Sequence, residues 1–460
     1  MPGPAASRGR DRSWVGLMVC GLLVVVTAVL VMVRLDDPAP KPPRASPSEA
    51  PRASPSEVSR AGTGRFVDTW DGIHLGLTLG STVLDPSVEQ PRTGRKVGYV
   101  WSAPQPHPVP SRTLDEAHLG HYLAATWNDV AGTDEPGHSL RWFQQNRPDW
   151  VAYRCENGRA TTTPAWYGYG TGRQWNRVPL DWSNPEVQTY LIEHAKAQLA
   201  KGYDGISLDN VLFTNFQGVC GTYQWVDAGG KRSLAWRSLG YPATNTSNPK
   251  LVADLRAFLA RLSRELRTAY PDRTLMANTS ALIAGLPVQN YAPYFDGVLD
   301  EIGFMGQRQE RVTDDAWLTQ VRQAEALSSM GKAYVAVAYA NGGGAVVTGA
   351  ARESVVSWAL SNYLLVKGRH SFTYVHRLAP GFVDLPEYDV PIGHPTGPRT
   401  TRGGTHQRRY SGGLVIVNPS STSSAEVVLH EPMTDSAGRV LSVARLEPAS
   451  GVVLLDRSGR

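Results

Sequence analysis

"GYDGISLDNV", residues 202–211, decides how this 460-residue chain is read. It has the composition of a short buried strand, and it breaks off at an acid, Asp209, followed at once by Asn210. A carboxylate at such a place is costly to bury unless it is hydrogen-bonded or put to use. An Asp that caps a following turn would also end a strand there, so the surrounding pattern has to decide.

On both sides of this stretch, strand-like and helix-like segments alternate from Phe66 onward, the pattern of βα units around a parallel sheet. The candidate strands are 72–79, 96–102, 149–155, 204–211, 274–280, 296–304, 333–339 and 371–376. Helices with good start signals lie between them. "SNP" opens two, at Ser183 and Ser247, with Pro in the first turn, and Leu251, Leu255, Phe258, Leu259 and Leu262 form an apolar stripe on the second. Two more start near Thr313 and Thr348. Eight such strands fit a (β/α)8 TIM barrel over residues 65–380. After about Pro380 strands follow one another without helices, which predicts a small C-terminal antiparallel β domain over 381–460.

The N-terminus reads differently. Trp14 to Val33 is a run of twenty residues without a charge, long enough for one transmembrane helix. Arg8, Arg10 and Arg12 precede it and Asp36 and Asp37 follow, so the positive-inside bias leaves residues 1–13 in the cytoplasm and the rest outside the cell membrane. The run is long for a cleaved signal peptide, and a signal anchor at 14–33 is expected. Residues 34–64 are rich in Pro, Ser and Ala and repeat "PRASPSEA" as "PRASPSEV", the composition of an extended, disordered linker. Residues 1–60 hold eight Lys or Arg and five Asp or Glu, so +3 of the net +5 belongs to this segment. The remaining +2 leaves no electrostatic footprint for nucleic acid. Heavy use of Ala, Arg, Pro and Gly suggests a bacterial source of high GC content.

In a barrel of this kind reactive side chains project from the C-terminal ends of the strands. Asp209 ends the fourth, and "YFDGVLDEIGF" sets Asp300 and Glu301 at the end of the sixth. Two carboxylates could then face one cleft from opposite sides of the rim, which is what hydrolysis of a glycosidic bond requires. Neighbouring residues on a strand face opposite sides, so only one of the pair points inward; Glu301 is the choice and Asp300 the alternative. Trp70, Trp101, Trp166, Trp175 and Trp182 fall in or beside strand-end loops, where an indole face can stack on a sugar ring. "WYGYGTGRQW" at 166–175 reads as a cleft wall. Arg154, Asn278, Tyr339, Tyr374 and His376 sit at other strand ends and could bind hydroxyls.

Cys155 and Cys220 are the cysteines outside the apolar run, and a disulfide between them suits an oxidising compartment. No zinc-type spacing, H-E-x-x-H, P-loop or G-x-S-x-G pattern occurs, so neither metal nor cofactor is expected, nor an obligate protein partner.

With Asp209 after strand four, Glu301 after strand six and the tail "RRYSGGLVIVNPS", the chain resembles glycoside hydrolases built from a barrel and a C-terminal β domain. "GYDGISLDNV" and "YFDGVLDEIGF" are similar to the equivalent strand motifs of glycoside hydrolase family 114 and its hypothetical glycosyl hydrolase relatives. The resemblance spans roughly residues 66 to 430. It implies that Asp209 is the nucleophile and Glu301 the acid/base, a plan shared with several retaining α-glycosidase families. Burial should then raise the pKa of Glu301.

These readings converge on a membrane-anchored, extracytoplasmic glycosidase for an α-linked poly- or oligosaccharide. A carbohydrate-binding barrel without catalysis is the first alternative. A type II membrane glycosyltransferase is the second, although the Asp-x-Asp motif usual there is missing.

Overall fold

The computed structural model describes residues 66–457 except 79–93, 108–113, 115, 130–138, 157–158, 166–176, 216–217, 242–247, 280–285, 307–309, 341–345, 377 and 379–381. The apolar run at 14–33, the linker, Trp166 and Trp175 lie outside the described residues. Among those described, no helix is long and apolar enough to cross a membrane.

Eight parallel strands close into a barrel: β1 (Leu75–Leu77), β2 (Val97–Val100), β3 (His118–Ala124), β4 (Gly205–Val211), β5 (Thr274–Thr279), β6 (Gly297–Asp300), β7 (Ala333–Tyr339) and β8 (Ser371–His376). Each pairs with its neighbours in chain order, and β1 completes the ring against β8. Seven of the eight coincide with the expected runs; the third does not. The run 149–155 contributes no barrel strand, and its place is taken by "HLGHYLA", residues 118–124. The barrel interior explains that composition. A Cβ at Gly120 would run into Ser207 Oγ, so the strand needs a glycine where β-propensity would favour a branched side chain.

The helices are α1 (Leu140–Asn146), α2 (Pro185–Ala200), α3 (Pro249–Ala269), α4 (Asp314–Ser329) and α5 (Gly349–Val366). Asn184 and Asn248 cap α2 and α3, accepting from Glu186 N at 2.9 Å and from Lys250 N at 3.0 Å, each ahead of a proline in the first turn. Such a cap is worth about 1 kcal/mol. The stripe from Leu251 to Leu262 on α3 is wholly buried. From Val355 to Val366 helix α5 is buried on nearly every side because it is covered on two. One side meets the barrel, and the other meets a six-stranded antiparallel sheet running from Thr400 to Asp456. Tyr410 of that sheet donates to the Leu364 carbonyl at 2.6 Å, and Arg408 donates to the Lys367 carbonyl at 2.7 Å, where a cation meets the negative end of the helix.

The segments after β3 and β4 build a second, four-stranded antiparallel sheet at the C-terminal end of the barrel. Tyr153–Glu156 and Arg159–Pro164 come from the first segment, and the hairpin of Val219–Ala228 and Lys231–Ser238 from the second. A disulfide between Cys155 and Cys220, with Cα atoms 5.7 Å apart, ties the two segments together.

Candidate active site

Alternation along the barrel strands sorts the inward positions into levels. On β4, Gly205, Ser207 and Asp209 face the axis in turn. At the lowest level His118 and Thr274 share a hydrogen bond of 2.7 Å, and Phe66 closes the end against His118, His370 and Phe372. One step up, Tyr99 and Ser207 share another of 2.7 Å among Met276, Leu299, Val335 and Phe372. The third level is the mouth.

There β4 departs from regularity. Leu208 pairs with Ala277 and Val211 with Thr279, so Asp209 and Asn210 together face the single residue Asn278. This β-bulge re-aims the strand end. Asn210 takes up the strain with a φ of 58°, a left-handed conformation that Asn tolerates better than most residues, and its amide donates to the Asp209 carboxylate.

Five consecutive strand ends then supply one hydrogen-bonded chain. Tyr122 of β3 donates to Asp209 Oδ2 at 3.0 Å. Asn278 Nδ2 of β5 donates to Asp209 Oδ1 and to Glu301 Oε2, each at 2.8 Å. Tyr339 of β7 donates to the other oxygen of Glu301. Because both acids reach one nitrogen, twice 2.8 Å bounds the gap between those two oxygens at about 5.6 Å. The acids therefore flank β5 and do not oppose each other across the rim. Burial first, and then the charge of Glu301, push the Asp209 carboxyl up to about 6, against the lowering effect of the Tyr122 and Asn278 hydrogen bonds.

Asp300 turns the other way. Its Oδ1 accepts from the backbone N–H groups of Ile302 and Gly303, each at 3.2 Å, and its Oδ2 accepts from Tyr334 at 2.6 Å and from Gln320 of α4. Burial holds it above the usual carboxylate range. It organises the turn that delivers Glu301 to the mouth. In that turn Gly303 adopts a φ of 48° and lies so close to the Val337 backbone that a side chain would not fit.

The other expected contacts divide. Tyr339 is in the chain just described, and the His376 ring meets its edge at 5.2 Å. Tyr374 is buried and stacks on Phe382 at 6.0 Å. Trp101 is 5% exposed and packs with Tyr99, lining the barrel interior as part of the floor and offering no open indole face. Arg154 is exposed on the inserted sheet and does not end a barrel strand. Trp70 lies at the opposite end of the barrel beside Lys367 and Arg369, and Trp182 is buried against Tyr241. Tyr122 was missed because its strand was missed. Among the described residues, no group of three His, Cys, Asp or Glu side chains is placed to hold a metal ion.

The chain has distant structural likenesses. The glycoside hydrolase domain of PelA from Pseudomonas aeruginosa is 14% identical over 68% of this chain and 99% of that one, with a TM-score of 0.38. A GH13_31 enzyme is 12% identical over 75% and 84%, with a TM-score of 0.42. An Anoxybacillus alpha-amylase is 11% identical over 75% and 77%, with a TM-score of 0.40. No curated protein matches the chain significantly in sequence. The family match is sequence-based and extends over residues 119–414, from β3 into the C-terminal sheet, so it includes Asp209, Asn278 and Glu301. The match bears out the resemblance of the strand motifs to hypothetical glycosyl hydrolases, while family 114 itself is not the family matched. The chain belongs to hypothetical glycosyl hydrolase family 15, and with it to the glycosidases.

Proposed function

We propose that this protein is a retaining glycosidase acting outside the cytoplasm on an α-linked poly- or oligosaccharide, with residues 14–33 as its membrane anchor. The observation that carries this reading is the carboxylate pair held by one amide at the barrel mouth. A gap of at most about 5.6 Å between the facing oxygens supports the retaining reading, in which the two carboxyl groups stand about 5–5.5 Å apart.

In the first step an Asp209 oxygen bonds to the anomeric carbon as the glycosidic bond breaks, and the Glu301 proton passes to the leaving oxygen. In the second, water bonds to the same carbon, gives its proton to Glu301 and displaces Asp209. Donors from Tyr122, Asn278 and Asn210 converge on Asp209 and favour the ionised form a nucleophile needs.

A second reading exchanges the roles, because a carboxyl raised to about 6 has the character of an acid. The pH dependence of kcat/KM separates the two. With Asp209 as nucleophile, activity rises as the pH climbs through about 6; with Asp209 as proton donor, it falls there. Under either assignment Asp209→Asn and Glu301→Gln each lower hydrolysis of a susceptible α-linked poly- or oligosaccharide by about 10³-fold or more, with folding intact. Full activity in either variant overturns the assignment. Binding of a glycan without release of reducing ends by the unaltered chain favours a barrel that binds without catalysis.

A further inference from the structure

We infer that Asn278 is the positioning residue of this site: its single amide nitrogen sets the distance between Asp209 and Glu301 and the division of protons between them. The inference rests on the proposed reading of the pair and gives the residue between them a role beyond contacting substrate.

The geometry is specific to asparagine. A primary amide nitrogen carries two hydrogens, and here each has a carboxylate oxygen at 2.8 Å. Aspartate in its place would offer acceptors to acceptors. Glutamine would carry the amide one methylene further along, and serine would have a single proton to give. The backbone aims the group as well. Asn278 pairs with Leu299 of β6 on one side and on the other faces the two-residue bulge of Asp209 and Asn210, so the amide projects between the two acids.

Other described groups also reach the pair. Asp209 meets Tyr122 from β3, its neighbour Asn210, Asn278 from β5 and Glu301 from beyond β6. Glu301 meets Asn278 and Tyr339, and Tyr339 meets the edge of the His376 ring from β8. Tyr122 is bonded to Asp209 and Tyr339 to Glu301, whereas Asn278 is bonded to both. It stabilises the doubly ionised pair without adding a charge. Its loss would leave two like charges repelling each other across the gap, which raises the affinity of Asp209 for a proton.

The test uses the full chain labelled with carboxyl-¹³C aspartate, and Asp209→Asn identifies the Asp209 resonance. Its midpoint, about 6 in the unaltered chain, should move up by about one unit in Asn278→Ala and further in Asn278→Asp. In the pH profile of hydrolysis the limb near 6 should move by the same amount, with kcat falling more than KM rises. Should Asn278→Ala not fold, Asn278→Ser keeps one donor and should give a smaller upward shift. An unmoved midpoint in folded variants, with a tenfold or greater rise in KM, overturns the inference and makes Asn278 a substrate contact. The titration needs no substrate, so failure to find a hydrolysed glycan would sink the proposed function and leave this result standing.

Discussion

Two levels of the same barrel interior, about 6.6 Å apart along β4, treat buried polarity in opposite ways. At the level of Ser207 the polar groups are neutral and meet one to one, hydroxyl to hydroxyl at 2.7 Å, within apolar walls. At the level of Asp209 two carboxylates share a donor, and one is pushed up to about 6 by burial and by the other's charge. The lower arrangement satisfies its hydrogen bonds at little electrostatic cost. The upper one would relax if either acid became an amide. Its persistence marks the mouth as the level shaped by chemistry and the layer below as the level shaped by packing. Asp300, one residue before Glu301, sits outside both. It is an acid with backbone donors on one oxygen and side-chain donors on the other, and so belongs to the architecture.

Three substitutions sharpen this contrast. The largest effect on stability should come from Asp300→Ala, which strands the Tyr334 hydroxyl and two backbone N–H groups and should cost about 2–4 kcal/mol in denaturant unfolding. Next is Asp209→Asn, which should stabilise the fold. The folded-state pKa of Asp209 is raised, so between pH 3.8 and about 6 the folded chain binds more protons than the unfolded one, and stability falls as pH rises. Above pH 6 the variant should gain about 1–2 kcal/mol, a figure reduced for the partial exposure of the mouth, and below pH 3.8 the gain should vanish. A loss of stability at pH 7.5 would place Asp209 with Asp300 among the structural acids. Smallest is Ser207→Ala, at about 1 kcal/mol with no pH dependence in this range and hydrolysis retained.

Much of this was legible in the chain itself, for physical reasons. Strands buried on both faces must be apolar, so runs such as "AYVAVAY" stand out, and an acid that ends one is conspicuous. β3 escaped because crowding inside the barrel demands Gly120, and two histidines dilute the rest of it, while "DWVAYRC" has the better strand composition. That exchange also misplaced Arg154 and hid Tyr122. Alternation predicted that only one of Asp300 and Glu301 could face inward; the donors from Ile302, Gly303 and Tyr334 decide which. The bulge at Asp209 and Asn210 has no signature in a single strand, because it exists only in the register with β5. The amide that joins the two acids was therefore visible only as a polar strand end.

The most direct test of the central claim is to trap the intermediate. Glu301→Gln, exposed to a fluorinated glycosyl fluoride of whichever α-glycan is hydrolysed, should accumulate a covalent adduct, because the fluoride leaves without acid assistance and no base remains to activate water. Digestion and mass spectrometry should place that sugar on Asp209. A sugar on Glu301 in the unaltered chain, or turnover with inversion and no adduct, would contradict the account.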